Sequence, residues 1–415
     1  MMNYIWLFLI AVSVVVAAFT GNIGAITKGA FDSAKTAVDI ALGLIGIMTL
    51  WLGMMKIAEE AGLIKVLARL IRPVSSRLFP EIPRDHPAIG AMMLNISANW
   101  LGLGNAATPF GIKAMEELQT LNPQKDTASN SMIMFMGLNT ASITLVPMTI
   151  IAVRAGLQSS DPTAIIGTTI FSSLMATVTA VLAVKTFVSF ENGMAGFKSE
   201  ISKSWKGWTF FFAILVAILL AMKYHVFTPI TESLPPYLFK NLITLISRWT
   251  IPLLLLLIPS MAILKKVEIY EVFVEGAKEG FQVAVKIIPF LVAILVAIGM
   301  FRSSGAMDFF VTIISPFTNL IGMPADVLPA ALMRPLSGSG TLGIITELLK
   351  THGPDSFTGQ LASTIYGCTE TTFYVIAVYF GAVQVKKIRY AVPAGLIADT
   401  VGVLAAVFIC RMMFL

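Results

Sequence analysis

PAIGAMMLNISANWLGLGNAATPFGIKAMEEL, residues 87–118, decides how this chain folds. The stretch starts apolar, breaks at LGLGNAATP and resumes as a helix. Gly102 and Gly104 can bend the chain at the break, and Pro109 can start the next helix. A second stretch, PADVLPAALMRPLSGSGTLGIITELLK, residues 324–350, has the same form around RPLSGSG, with Pro335, Gly338 and Gly340. Broken backbone at membrane depth survives only where protein or a water-filled cavity satisfies its polar groups. Both stretches therefore read as re-entrant helical hairpins.

The surroundings make membrane depth the right setting. Of 415 residues, 56% are hydrophobic and 13% charged, against about 25% charged in a soluble domain. The mean hydropathy is +0.83. Nine runs suit a bilayer core of roughly 30 Å. They lie near 2–20, 37–58, 128–152, 163–186, 207–222, 238–264, 279–301, 357–380 and 390–412. The first lacks the basic start of a cleavable signal and reads as a retained helix. LIKVLARLIRPVSSRLF, 63–79, sets Lys65, Arg69, Arg72 and Arg77 among apolar residues at helical spacing, as in a helix lying in the interface. The matching stretch, 306–322, is less charged.

Several function classes drop out. The net charge of +6 fits basic loops better than a nucleic-acid surface, because no basic cluster interleaves with aromatics. Cys368 and Cys410 have no metal-ligand or disulfide spacing, and His86, His225 and His352 are scattered. No metal site and no cofactor is expected. There is no GxxxxGK[ST] for ATP, and no HExxH, GxSxG or paired-carboxylate motif. The chain is not read as an enzyme.

The two halves repeat one another. At a shift of 243, Ala34 falls on Ala277, Lys35 on Lys278, Ala41 on Ala284, Leu52 on Leu295, Gly62 on Gly305 and Pro73 on Pro316. After the hairpins the shift is 230, and Gly137 meets Gly367, Ala152 meets Ala382 and Leu174 meets Leu404. Each repeat orders its elements as two spans, an interfacial helix, a hairpin and two spans. Four spans per repeat is an even number, so the single crossing near 207–222 inverts the second repeat. Loop charge agrees. With the N-terminus inside, the inner loops 59–84, 186–206, 265–278 and 381–389 hold 14 Lys and Arg; the outer loops 21–36, 154–162, 223–236 and 302–323 hold 5. The expected fold is an all-α polytopic membrane protein of two inverted-topology repeats, with about nine spans plus two hairpins. Residues 1–186 form the first repeat, 187–236 a linker with one span, and 237–415 the second repeat.

Polar residues concentrate where lipid should be. The first hairpin carries Asn95, Ser97, Asn99, Asn105 and Thr108, and the second carries Arg334, Ser337, Ser339 and Thr341. The span after the first holds Asn139, Thr140 and Ser142; the span after the second holds Thr369, Glu370, Thr371 and Thr372. At a shift of 230, Thr140 lands on Glu370. Singly, such residues serve as helix–helix glue. Together, beside broken hairpins at equivalent positions, they read as a solute site. An ionisable residue inside a span is costly and usually functional. Glu370 is therefore a candidate for proton or cation coupling, or else a buried partner of Arg334. Asp399 is a second coupling candidate. Lys56 and Arg154, at span ends, read as snorkelling residues.

SANWLGLGNAATPFGIKAMEEL resembles the spore maturation protein A family, and RPLSGSGTLGIITELL with STIYGCTETTFYVIAVYFG resembles the spore maturation protein B family. The chain looks like a fused form of the two. Both families belong to the nucleoside-recognition, or gate-domain, group, which is similar to the concentrative nucleoside transporters and to the membrane part of ferrous-iron transporters. The resemblance implies paired hairpins and inverted repeats around a central site, in a bacterial cytoplasmic (inner) membrane. The expected function is secondary-type transport of a small polar or anionic solute bound between the hairpin tips, with Na+ or H+ as the coupling ion. Membrane lipid is an expected partner and nucleic acid is not. A homodimer or other homo-oligomer is expected by analogy. The competing expectation is a non-transporting scaffold or channel component of a larger assembly.

Overall fold

The computed structural model describes residues 2–83, 85–102, 104–191 and 236–415, and among them every extended element is helical. The expected span at 207–222 lies outside the described residues. In chain order the elements are α1 (Met2–Thr20), α2 (Ile23–Glu60), α3 (Leu63–Leu78), α4 (Pro87–Trp100), α5 (Gly104–Leu121), α6 (Asn130–Thr140), α7 (Met148–Gly156) and α8 (Ile166–Glu191). They continue as α9 (Pro236–Leu264), α10 (Ile269–Ser303), α11 (Ala306–Leu320), a 3₁₀ turn at Ala325–Val327, α12 (Leu328–Met333) and α13 (Gly338–His352). The last three are α14 (Phe357–Cys368), α15 (Thr372–Ala382) and α16 (Ala391–Phe414). Among these, α2, α8, α10 and α16 have the length and apolarity to cross a bilayer. The protein is a multi-pass membrane protein.

Both suspected hairpins form as helix, break, helix. His86 caps α4 by accepting the Ala88 N–H, with Pro87 as the first helical residue. Ser337 caps α13 by accepting the Gly340 N–H. The chain turns by 102° between α11 and the 3₁₀–α12 arm, which leads into the second hairpin. Gly62 and Gly305 stand at the same point in each half, ahead of α3 and α11. Both have left-handed φ, 78° and 83°, a conformation cheap only for glycine.

Four expectations need correction. The stretches 128–152 and 357–380 are not continuous helices: the first breaks at 141–147 and the second at 369–371. The reading of 21–36 as a loop also fails, because α2 starts at Ile23 and runs 38 residues. At 1.5 Å per residue that is about 57 Å, far beyond the apolar core, so its polar end projects past the core. Likewise α10 starts at Ile269, inside the expected loop 265–278.

The described chain forms two compact units. Among the described residues, unit 1 comprises 2–61, 147–165 and 247–366; unit 2 comprises 62–83, 85–102, 104–146, 166–191, 236–246 and 367–415. The chain passes from one to the other at 61/62, 146/147, 165/166, 246/247 and 366/367. In unit 1, α2 and α10 pack antiparallel: Ser33 lies against Gly299, Thr49 against Gly280, and Lys56 against Gly276. A Cβ on Gly276 or Gly299 would overlap its neighbour, so glycine sets this close approach. Ala37, Ala41, Leu291 and Leu295 fill the middle of the pair. α7 and α13 also pack together in unit 1. In unit 2, α4 and α5 pack on each other, α15 packs on α5 and α6, and α16 packs on α8 and α6. The core of unit 2 includes Met92, Met115, Phe135, Tyr379 and Phe380.

Candidate functional site

Unit 2 gathers most of the candidate residues around the first hairpin. Asn95, on α4, is fully buried. Its Nδ2 donates to the Ala107 carbonyl on α5 (2.8 Å) and to the Tyr379 hydroxyl on α15 (3.0 Å). The carbonyl demands a donor, which fixes the amide orientation. Asn95 Oδ1 then stays buried with no hydrogen-bond partner among the described residues. One turn along α4, Asn99 Nδ2 donates to Asn139 Oδ1 (2.9 Å), and Asn139 Nδ2 donates back to the Phe135 carbonyl. The break after α6 docks on the hairpin tip through the Leu145 N–H to the Trp100 carbonyl (3.0 Å).

The second break meets the first in the same unit. The Glu370 N–H donates to the Thr140 carbonyl at 2.7 Å. One N–H of the second break thus satisfies the carbonyl at the end of α6, which reduces the cost of unpaired groups in a bilayer. Glu370 is partly exposed, whereas Thr369, Thr371 and Thr372 are buried. Thr372 donates to Asp399 Oδ2 on α16 (2.6 Å), and Asp399 is buried too. The Thr371 side chain makes no capping bond to α15.

Other candidates serve the fold locally. Ser97 donates to the Met93 carbonyl one turn back, and Thr140 Oγ1 donates to the Gly137 carbonyl. The Ser142 carbonyl accepts from Thr144. Thr108 is half-buried on α5. Asn105 sits in α5, with its side chain outside what the structure describes.

Unit 1 holds the other hairpin. The Arg334 side chain is buried with its guanidinium 4.6 Å from the Tyr366 ring centre, a cation–π distance. Thr341 is buried and donates to the Ser337 carbonyl (2.7 Å). Ser337 and Ser339 are partly exposed, with their hydroxyls 3.5 Å apart. Glu370 belongs to unit 2 and Arg334 to unit 1.

Two features escaped the sequence reading. Tyr379 ties Asn95 to the break through its hydroxyl, and Gly111 leaves room for it, since a Cβ there would overlap the ring. Arg154 does not snorkel. It is fully buried and donates to Asp355 Oδ1 (3.0 Å), the Pro162 carbonyl (3.2 Å), the Asp161 carbonyl (3.1 Å), the Pro354 carbonyl and Ser159. This pins the end of α7 to the end of the second hairpin. Burial raises the Asp355 carboxyl, but hydrogen bonds from Ser159 and Ser160 and the Arg154 charge outweigh it and hold the group below the usual aspartate value. In unit 2, Lys387 pairs with Asp126 (3.0 Å) and the Gln119 amide donates to the Val383 carbonyl (3.1 Å). That joins the end of α15 to the end of the first hairpin.

A cavity of about 580 Å³ is lined by Glu81, Asn122, Asn130, Ser131 and Arg389, among others. It includes no candidate residue.

The nucleoside-recognition (Gate) family matches residues 41–157 and 284–386. These segments contain both hairpins and both breaks and leave out Asp399. Spore maturation protein A of Bacillus subtilis (strain 168) is 46% identical over 182 residues, which is 44% of this chain and 93% of that protein. Spore maturation protein B of the same strain is 49% identical over 174 residues, 42% of this chain and 98% of that protein. No solved structure matches.

Proposed function

The chain belongs to the nucleoside-recognition (Gate) family, and on that premise we propose that it is a secondary-type transporter of a small polar or anionic solute. The observation that carries the proposal is the bond between Thr140 and Glu370. These residues are equivalent at a shift of 230. Equivalent residues of an inverted pair meet only near the axis that relates them, and transporter sites of this kind lie at such an axis. The α2–α10 pair supports the same symmetry. Exchange Ser33 and Gly299 by the 243 shift, and the result is Gly276 and Lys56, which are also in close contact. Residues 1–186 and 237–415 are then the inverted repeats, and 187–236 is the linker.

In this reading the solute lies by the first hairpin. Asn95 Oδ1 accepts a hydrogen bond from it, while Asn99 and Asn139 exchange their mutual bond for bonds to it. Glu370 carries the coupling charge, Na+ or H+, and Asp399, held by Thr372, is the second coupling candidate. In unit 1, Arg334 and the start of α13 offer donors suited to an anionic group. The membrane is the bacterial cytoplasmic one, with the N-terminus inside, and the assembly is a homo-oligomer.

A thermal-shift screen of amino acids, nucleosides and dicarboxylates tests the proposal. A solute at 100 times its Kd stabilises by about 2.7 kcal/mol, a shift of several degrees. One solute class is expected to stabilise the wild type and to lose its effect in Glu370→Gln and Asn99→Ala. A flat screen, with both variants like wild type, would favour the scaffold or channel-component reading.

A further inference from the structure

Helix α3 has three distinct sides. At about 100° per residue, Ile64, Ala68 and Ser75 fall together. Ile64 and Ser75 are buried, and Ala68 packs against the unit 2 core. Lys65 and Arg69 fall on the next side and are exposed, with Arg72 continuing their spacing in the sequence. Val66 and Leu70 form the third side, where Leu70 is 71% exposed. The helix carries Lys65, Arg69, Arg72 and Arg77 and no acid. The nearest acids in sequence are engaged elsewhere: Glu59 and Glu60 with Lys56, and Glu81 with Asn130 and Ser131.

Helix α11 is the informative contrast. It too has an exposed apolar side, made of Phe309, Ile313, Phe317 and Leu320. It carries Asp308 and no base. Both helices can lie in an interface, but only α3 has a cationic row beside its apolar one. Charge, not amphipathicity, distinguishes them.

We propose that α3 docks anionic phospholipid: Val66 and Leu70 enter the acyl-chain boundary while Lys65 and Arg69 hold headgroup phosphates. Cations of this kind add to the affinity of an amphipathic helix for acidic bilayers.

The test uses the full chain in phosphatidylcholine nanodiscs, with and without phosphatidylglycerol, reading retained lipid by native mass spectrometry and melting temperature in parallel. Phosphatidylglycerol should be retained in preference and should raise the melting temperature, with salt weakening both effects. Lys65→Gln and Arg69→Gln should each lower retention by roughly fivefold. Lys65→Arg with Arg69→Lys should keep the preference. Three results would overturn the proposal. One is equal retention of the two lipids by wild type, which decides the matter even if the Gln variants do not fold. Another is an undiminished preference in the Gln variants. The third is the same stabilisation from inorganic phosphate in phosphatidylcholine alone.

Discussion

At the residue scale, Asn95 holds three things at once: the two arms of the first hairpin, Tyr379, and one open acceptor. Asn95→Ala removes its bonds to the Ala107 carbonyl and the Tyr379 hydroxyl, at a cost of roughly 1–3 kcal/mol. Tyr379→Phe removes one of the two bonds and should cost about 1 kcal/mol. Because the two residues touch, the double variant should cost less than the sum, which melting curves of all four proteins would show. Asp355 gives a pH prediction. Its carboxyl is held low in the folded chain, so its stabilisation is complete above the unfolded value of about 3.9 and fades as pH falls below it. Asp355→Asn should therefore flatten the acid side of the stability profile below about pH 4 and lower the plateau above it. A profile parallel to wild type would contradict this. Asn95, Asn99, Thr140 and Glu370 could be read in the sequence because polar groups in apolar runs stand out. Tyr379 could not, since it lies 284 residues from Asn95 and reads as an ordinary aromatic in an apolar helix. Arg154 was misread for a similar reason: only folding brings the carbonyls of Asp161, Pro162 and Pro354 around it.

At the element scale, the two helix–break–helix hairpins were legible because Gly and Pro mark them. The two broken helices were not. TET at 369–371 contains no Gly or Pro, and the Thr residues flanking Glu370 are tolerated in helices, so nothing local announced the break. Tertiary contact makes it: the Glu370 N–H gives up a helical partner and takes the Thr140 carbonyl. Helix length was misjudged for a related reason, because the polar start of α2 reads as loop until it is seen packing along α10. That packing yields a direct prediction. Gly276→Leu and Gly299→Leu each force a side chain into a backbone-level contact, and overpacking of this kind costs about 1–3 kcal/mol. Both should lower the melting temperature, and a variant as stable as wild type would contradict a close approach set by glycine.

At the scale of the whole molecule, the proposed repeats divide the sequence in two, while each compact unit draws segments from both halves. Each unit contains one hairpin and the second helix of the other half's broken run, α7 in unit 1 and α15 in unit 2. Neither half could build such a unit alone, which gives a fused chain a physical sense. Inversion is tested by single cysteines at Lys28 and Glu271, exposed and equivalent at the 243 shift. They should label from opposite sides of the membrane, and labelling from the same side would sink the inverted arrangement. The most direct test of the central claim is uptake by proteoliposomes holding the purified chain, with an imposed Na+ or H+ gradient and a panel of labelled small polar solutes. The account predicts gradient-driven accumulation of one solute class by wild type and its loss in Glu370→Gln. It is contradicted by no accumulation of any solute across the panel, or by a Glu370→Gln protein that accumulates solute as well as wild type.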